Sequence, residues 1–366
     1  MTKLWWAQIK SVIRLEMKKT LFARRGIWIY VLALLPLLLF AINAGLVTHD
    51  RQRSGRIASE GGKKLTYEDL QTVKPEMTSE EVIALLGKPP LRFKWKEHKP
   101  SESGDAEVVP HDQYHYSDGS HDLYVEFVDN KVVSIQIGQG YTPPDSSMVF
   151  AGVFQFFYLR LAIFFGCLGI FMNLFRGEIL DKSLHFYFLA PIRRDVLMAG
   201  KFLAGLLATC IIFVTSEALQ IMVFTWQFSP AARDLYLYQN HGLQQAAAYL
   251  GVTALACLGY GAFFLAAGIL FRNPILPAAA ILVWEAANPF LPALLKKFSV
   301  IYYLKSLCPV DIPTPPGTPP LLSLLVSNPD PVSAPVAILG IVAVSMFVLY
   351  ISSFQVRRME INYATE

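Results

Sequence analysis

Three ionisable residues lie inside long apolar runs of the sequence: Arg160, Glu217 and Glu285. Charged groups are rare in such runs because placing one at the centre of a bilayer costs roughly 2.5–3.5 kcal/mol on insertion scales. Each therefore needs an opposite charge or a water-filled cavity. The groups can form structural ion pairs, with Arg160 opposite Glu217 or Glu285, they can line a substrate path, or they can reach towards an interface.

A second set of charges interrupts the apolar sequence between residues 176 and 201. Its members are Arg176, Glu178, Asp181, Lys182, Arg193, Arg194, Asp195 and Lys201. The segment can be a solvated loop on the cytoplasmic side of a membrane, or a surface held by another protein. Residues 178–189 predict a short helix that presents Leu184 and Phe188 and ends before Pro191. Beyond it, Arg193 and Arg194 can engage acidic groups of a partner.

Histidines and nucleophiles give no constellation that indicates an enzyme or a metal protein. Four histidines stand among acidic residues of one polar region, His98, His111, His115 and His121. Their spacing lacks a strong metal-ligand pattern, so surface histidines are expected and no metal is predicted. The phosphate-binding pattern G-x-x-x-x-G-K-[ST] is absent from the sequence, so we expect the chain to bind no nucleotide cofactor.

The composition indicates an integral membrane protein, whose transmembrane helices would position these residues. Apolar residues make up 54% of the 366 and charged residues only 16%, and the mean hydropathy is positive. A span needs about 20 apolar residues. Six runs qualify as transmembrane helices, 27–46, 151–175, 202–225, 244–271, 275–293 and 335–354. The fifth is interrupted by Pro277, Pro289 and Pro292.

The distribution of Lys and Arg predicts the orientation of these helices. Basic residues concentrate in residues 1–26, in the loop 176–201 and at the C-terminal tail, so both termini are predicted to be cytoplasmic. Residues 1–26 also repeat apolar side chains at helical spacing, which predicts an amphipathic helix on the membrane surface. Residues 47–147 hold 12 Lys and Arg against 17 Asp and Glu, a net charge of −5. The basic excess elsewhere indicates topology and contact with membrane lipids, not nucleic-acid binding.

Residues 47–147 predict a separate α+β domain between spans 1 and 2. Thr78 and Glu81 form a capping box that starts a helix, and a weaker signal at Thr66 starts another before it. Two alternating runs around Asp129-Asn130 predict a β-hairpin, and residues 112–118 predict a third strand. Residues 91–110 are expected to be a charged connection.

That order of two helices and a three-stranded antiparallel sheet resembles the SmpA/OmlA-like small lipoprotein domain. The residues that carry the resemblance are Met77, Thr78, Val82, Leu85, Leu86, Gly87, Pro89, Tyr116, Leu123, Val125, Phe127 and Val132. The resemblance implies a protein-contact module. No lipid-bearing Cys is present, so the outer-membrane role of that family is not carried over.

The loop 176–201 resembles the first cytoplasmic loop of type-2 ABC export permeases, with Lys182 and Ser183 in place of the usual Gly and Thr. The matching positions are Glu178, Ser183, Leu184, Pro191, Arg193, Arg194, Gly200 and Lys201. The resemblance implies that these residues couple the chain to a separate ATPase subunit, which binds ATP and Mg. It also implies a second permease copy, in a homodimer, and short re-entrant helices in the outer loop 294–334.

The residues and the resemblance together predict a six-span export permease of a bacterial inner membrane. Its domains are expected to be 1–26, 27–46, a periplasmic 47–147, and 148–366. The expected function is transport driven by a partner ATPase, and lipid, polysaccharide, peptide and drug all fit as substrates. The alternative is a non-transporting inner-membrane scaffold or sensor whose periplasmic domain recruits an envelope protein. Glu178 and Arg194 are expected to be exposed in the isolated subunit and paired only in the complex.

Overall fold

The computed structural model divides into two compact units. One unit comprises Met1–Ala41 with Ser147–Glu366, and the other Ile42–Ser146; we call them the membrane unit and the inserted unit. The residues that the structure describes are 2–21, 26–61, 65–100, 106–118, 121–139, 143–180, 187, 189, 192–228, 230–271, 275–312 and 332–358.

Most of the described chain is helical. In chain order the α-helices are α1 Thr2–Leu21, α2 Ile27–Gly61, α3 Tyr67–Leu70, α4 Ser79–Leu86, α5 Pro143–Gly152, α6 Phe164–Leu180, α7 Arg194–Trp226, α8 Pro230–Asp234, α9 Gly242–Leu270, α10 Ile275–Ala286, α11 Ala293–Lys296, α12 Val300–Leu307 and α13 Ala334–Arg358. A π-helical segment, Val153–Ile163, joins α5 to α6 without a break, a second one spans Leu235–Gln239, and a 3₁₀ turn spans Asn288–Phe290.

Five helical stretches are long and apolar enough to cross a membrane. They are Ile27–His49, Ser146–Glu178, Arg194–Trp226, Gly242–Leu270 and Ala334–Arg358. Each contains one of the predicted spans or nearly all of it, so the sequence located these five correctly.

The predicted span 275–293 is not confirmed over the described residues, and neither is the count of six. Within the described residues, α10 has 12 residues, about 18 Å of helix at about 1.5 Å per residue, against a hydrocarbon core of roughly 30 Å. Pro289 lies in the 3₁₀ turn and Pro292 precedes α11. Because proline lacks an amide donor and clashes with the preceding turn, these two prolines favour the breaks between the short helices.

Helix α9 lies at the centre of the membrane unit and packs against α6, α7 and α13. Small residues allow this close packing. A Cβ atom at Gly261 of α9 would lie 2.5 Å from Phe171 Cζ, and one at Gly205 of α7 would lie 2.7 Å from Phe171 Cε1. Phe171 therefore occupies space that only glycine leaves open on both helices.

The inserted unit is an antiparallel sheet of four strands in the order β1-β2-β3-β4. The strands are β1 Leu91–Pro100, β2 Ala106–Ser117, β3 His121–Val128 and β4 Lys131–Gln139. Both predicted capping boxes are present, Thr66 with Asp69 and Thr78 with Glu81. Asp129 and Asn130 have positive φ angles of 51° and 66°, which suits the tight turn of the predicted hairpin. The buried core comprises Leu70, Val73, Val82, Leu86, Tyr114, Tyr116, Leu123, Val125, Phe127 and Val132.

The three-stranded sheet is a second correction, because β1 forms within the predicted connection 91–110. Leu91, Phe93 and Trp95 alternate with basic residues, which is the period of a strand. Charged side chains hid this pattern in the sequence. One of them is fixed by the fold: Arg92 Nε donates to the Asp112 carboxylate on β2 at 2.8 and 2.9 Å.

Candidate functional site

Helix α1 lies against the first turns of α7. Val12 and Glu16 are one turn apart on α1, and both are buried. A Cβ atom at Gly200 of α7 would lie 2.9 Å from Val12 Cγ1, so the two helices approach closely at this glycine. The next residue, Lys201, faces Glu16. The amphipathic helix predicted from residues 1–26 is thus present over 2–21, and part of its buried face is charged.

Lys201 is completely buried and makes three polar contacts. Its Nζ donates to Glu16 Oε1 at 2.7 Å and to the carbonyl of Leu174 at 2.9 Å. It also lies 2.7 Å from Glu178 Oε2. Lys201 thus donates two hydrogen bonds and forms ion pairs with Glu16 and Glu178. Glu178 and Lys201 stand near the two ends of the loop 176–201, so this ion pair closes the loop at its base.

Two more side chains complete what we call the charged cluster, which consists of Glu16, Lys19, Glu178, Tyr187 and Lys201. Lys19 Nζ lies 3.3 Å from Glu178 Oε1 and donates to the Tyr187 hydroxyl at 3.0 Å. That hydroxyl donates to Glu16 Oε1 at 3.0 Å, and Lys201 Nζ lies 4.7 Å from the centroid of the Tyr187 ring. Two carboxylates and the fully buried ammonium group of Lys201 thus share one site with a residue of the loop, and the half-exposed Lys19 borders it.

The environment shifts the pKa of two members of the charged cluster. Burial alone would raise the pKa of Glu16, but Lys201, Lys19 and the Tyr187 hydroxyl outweigh burial and hold the pKa below its usual value. The pKa of Tyr187 is raised, because burial and the charges of Glu16 and Glu178 disfavour the phenolate. The cluster therefore stabilises an ionised Glu16 and a neutral Tyr187.

The expectation that Glu178 and Arg194 are exposed and unpaired in the isolated chain is wrong for both. Glu178 is only 7% exposed and its partners are the lysines of the charged cluster. Arg194 Nη1 donates to the carbonyl of Arg357 at 2.8 Å. Beside it, Asp195 Oδ1 accepts from Arg357 Nε at 2.7 Å, so the start of α7 also holds the end of α13.

The other predicted coupling residues are only partly described. Arg193 lies 3.6 Å from Asp195 Oδ2 and its guanidinium is 5.1 Å from the Trp5 ring centroid. Leu189 is 80% exposed. The other loop residues singled out from the sequence lie outside the described residues, and so does most of the predicted helix 178–189. They are Asp181, Lys182, Ser183, Leu184, Phe188 and Pro191.

The structure does not gather Arg160, Glu217 and Glu285 in one site, although Arg160 and Glu285 interact electrostatically. Glu285 on α10 accepts hydrogen bonds from Ser299 Oγ at 2.9 Å and from the amides of Val300 at 3.0 Å and Ile301 at 2.8 Å. It therefore caps the amino end of α12, where amides lack partners and the helix dipole favours an anion. Arg160 makes no ion pair with Glu217 or Glu285 among the described residues. Its guanidinium lies 5.4 Å from the Phe156 ring centroid.

The histidines of the inserted unit pair with separate carboxylates. The nitrogen–oxygen distances are 2.8 Å for His111 and Glu126, 3.2 Å for His115 and Asp122, and 3.1 Å for His121 and Asp118. The side chain of His98 lies outside the described residues. Within the described part of the chain, no three His, Cys, Asp or Glu side chains gather as they would to hold a metal ion.

Sequence reasoning missed Glu16, Lys19 and Tyr187, although one signal was present. Glu16 is the only acidic residue among positions 1–26, and it is one helical turn from Val12 on the apolar side. A lone acid on the apolar face of a basic helix indicates a buried partner of opposite charge. The partner itself is distant in the sequence and could not be identified from it.

Comparison with known proteins does not assign the chain to a family, so its function has to be inferred from the geometry described above. No protein-family model, no curated protein and no solved structure matches the chain.

Proposed function

We propose that this chain is the membrane-spanning permease subunit of an ABC transporter, an exporter driven by a separate ATPase subunit. The observation that carries the proposal is the charged cluster, because it fastens α1 to both ends of the loop 176–201. A force applied to that loop reaches Glu178 on α6, Lys201 on α7 and Glu16 on α1 together. A permease subunit that is driven by a separate ATPase needs such a connection between its cytoplasmic loop and its helices.

The burial of the loop residues also supports coupling to a separate ATPase subunit. Its base is held by buried ion pairs, whereas Leu189 near its tip is 80% exposed. An apolar side chain on a basic loop suits a groove of a cytoplasmic partner. The partner binds ATP and Mg, and this chain transmits the resulting movement to its spans without acting as an enzyme.

The basic residues give the proposed topology. Both termini and the loop 176–201 face the cytoplasm of a bacterial inner membrane, and residues 47–147 face the periplasm. Helices α2 and α13 leave many large apolar side chains exposed, among them Leu38, Leu46, Leu339 and Met346. Lipid and a second copy of the chain, in a homodimer, would cover these surfaces.

The second candidate function is a non-transporting scaffold or sensor. It is favoured by the inserted unit, which has its own core and exposes Phe93 and Trp95 on one face of its sheet. Large aromatic side chains on an open sheet suit contact with a periplasmic or outer-membrane protein. A scaffold needs no ATPase, and this distinguishes the two functions.

The test is purification of the tagged full-length chain from its native membrane. Mass spectrometry then identifies any co-purified chain that carries G-x-x-x-x-G-K-[ST], and ATP turnover is measured in lipid nanodiscs. We expect such an ATPase to co-purify with the natural chain, to be lost with Leu189→Glu, and to be kept with Val133→Glu. Val133 is the matched control because it is 63% exposed in the inserted unit. Absence of an ATPase from the natural preparation would reject the proposal in favour of the scaffold.

A further inference from the structure

We propose that Glu217 is a proton-binding site inside the membrane unit, and that it exchanges its proton with water when the surrounding helices separate. The inference concerns a residue outside the charged cluster and does not depend on an ATPase partner. It requires only that α7 crosses the membrane.

The Glu217 carboxyl group is buried and makes no hydrogen bond to any described residue. Its side chain is 0% exposed, and neither Oε1 nor Oε2 has a hydrogen-bond partner among the described residues. The polar neighbours along α7 bind elsewhere. Ser216 Oγ donates to the carbonyl of Ala33 at 2.6 Å, and Gln220 Nε2 donates to Ser216 Oγ at 3.2 Å.

Among the described residues, no cation neutralises the charge that an ionised Glu217 would carry. The ionisable groups that interact with it electrostatically are Tyr158, Tyr249 and Cys308. Arg160 lies in the same π-helical segment as Tyr158, but its electrostatic partners are Tyr260 and Glu285. Among the described residues, no Lys or Arg lies within ion-pair distance of Glu217.

The hydroxyl groups near this carboxyl group belong to Tyr158 and Tyr249. The Tyr158 hydroxyl already donates its hydrogen bond to the carbonyl of Phe213 at 2.5 Å, so it does not donate to Glu217. Tyr249 on α9 is buried and interacts electrostatically with Glu217, and its hydroxyl group has no partner among the described residues. The Tyr249 hydroxyl is available as a hydrogen-bond donor once α7 and α9 shift.

These observations decide the protonation state. A buried carboxylate without a donor or a cation carries a penalty of several kcal/mol, whereas the protonated acid is neutral and loses only hydrogen bonds. A proton also needs no cavity, which suits a side chain that is fully enclosed. In the closed arrangement Glu217 is therefore a carboxylic acid.

Separation of α7 from α9 reverses this preference. Water reaches the acid, its O–H bond breaks, and the proton passes to a water molecule. The carboxylate that remains can accept a hydrogen bond from the Tyr249 hydroxyl. Closure without a proton would bury the anion again, so closure requires that Glu217 take a proton back from water. Proton uptake is thereby linked to the closed arrangement.

Infrared spectroscopy of the full-length protein in nanodiscs tests the protonated state. The probe is the C=O stretching band of a protonated carboxyl group at pH 7, compared between the natural chain and Glu217→Gln. We expect this band to be lost in Glu217→Gln and that variant to fold normally, because an amide is a neutral isostere of the acid. A natural-minus-variant spectrum that contains only carboxylate bands would overturn the proposal. Failure of Glu217→Gln to fold would overturn it as well.

Transfer of the same samples to D₂O tests the exchange. Replacement of O–H by O–D shifts the C=O band of the Glu217 acid, and we expect a slow shift that follows helix separation. A pair of cysteines that crosslinks α7 to α9 should slow it at least tenfold, and reduction should restore it. A band that never shifts, or one that shifts equally fast in the crosslinked protein, would show that separation does not release the proton.

Discussion

Lys201 on α7 and Glu16 on α1 form a 2.7 Å ion pair between two buried side chains that are 185 residues apart in the sequence. Buried ion pairs add little net stability when both partners are present. Removal of one partner, however, leaves the other charge buried without an opposite charge. The pair therefore makes the position of α1 depend strongly on α7.

Replacement of Lys201 should destabilise the membrane unit. Lys201→Met leaves Glu16 and Glu178 buried without their main partner, and we expect a loss of about 3–5 kcal/mol, measured by unfolding in mixed detergent. Lys10→Met on the exposed face of α1 is the control and should change stability by less than about 0.5 kcal/mol. The triple variant Glu16→Gln, Glu178→Gln, Lys201→Met should recover much of the loss, since a neutral network needs no counter-charge. Equal losses in the single and triple variants would contradict this account.

The stability provided by Glu16 should disappear in acid. Its pKa is lowered in the folded chain, so its contribution is complete above the unfolded value of about 4.3 and declines as pH falls through the lower folded value. We expect the difference in thermal midpoint between the natural chain and Glu16→Gln to be largest at neutral pH and to vanish at the acid end. A difference that stays constant with pH would rule out an ionised Glu16.

An added side chain at Gly200 should push α1 away from α7. Gly200→Val places carbon atoms where Val12 now lies, given the 2.9 Å separation already reached by a Cβ atom. We expect protease cleavage within α1 to accelerate and Val12→Ala to reverse part of the effect in the double variant. Gly177→Ala is the matched control, because its nearest neighbour would be 3.9 Å away. Protection of α1 in Gly200→Val would disprove the close contact.

Removal of the Glu285 carboxylate should loosen the start of α12. Hydrogen bonds to a charged acceptor contribute about 1.5–3 kcal/mol each, and Glu285→Ala leaves two buried amides without a partner. We expect faster hydrogen exchange at Val300 and Ile301, with Glu285→Gln intermediate because its amide oxygen still accepts. Unchanged exchange in Glu285→Ala would mean that water or another group caps this helix equally well.

Deletion of residues 55–140 with a short flexible linker should leave the membrane unit intact, because the inserted unit has a separate core. We expect membrane insertion and the proposed ATP turnover to persist, and capture of a periplasmic partner to be lost. Co-purification and turnover are compared with the full-length chain. Loss of the ATPase on deletion would make the inserted unit a structural part of the transporter.

Local patterns predicted much of the fold. The capping boxes at Thr66 and Thr78 and the turn at Asp129-Asn130 act within a few residues, and the structure contains all three. The β1 strand was missed because Lys94 and Lys96 gave its sequence the composition of a loop, although the edge of a sheet tolerates such residues.

The candidate site was harder to predict because its contacts are not local. The sequence singled out Glu178 and Lys201 through the spacing of one loop, but their partners Glu16 and Lys19 lie on α1, more than 150 residues away. One alternative placed Arg160 opposite Glu217 or Glu285, whereas Glu285 accepts hydrogen bonds from helix amides. An acid in an apolar run indicates that it needs a partner, not which partner it has.

The long separation of Glu16 and Lys201 also sets an order of events during synthesis. At about 5–20 residues per second, roughly 10–40 s pass between translation of Glu16 and translation of Lys201. Until then Glu16 has no lysine of α7 to meet. During that time α2, the whole inserted unit and α6 are synthesised. The charged cluster therefore forms late, only after α6 and the start of α7 are in place beside α1.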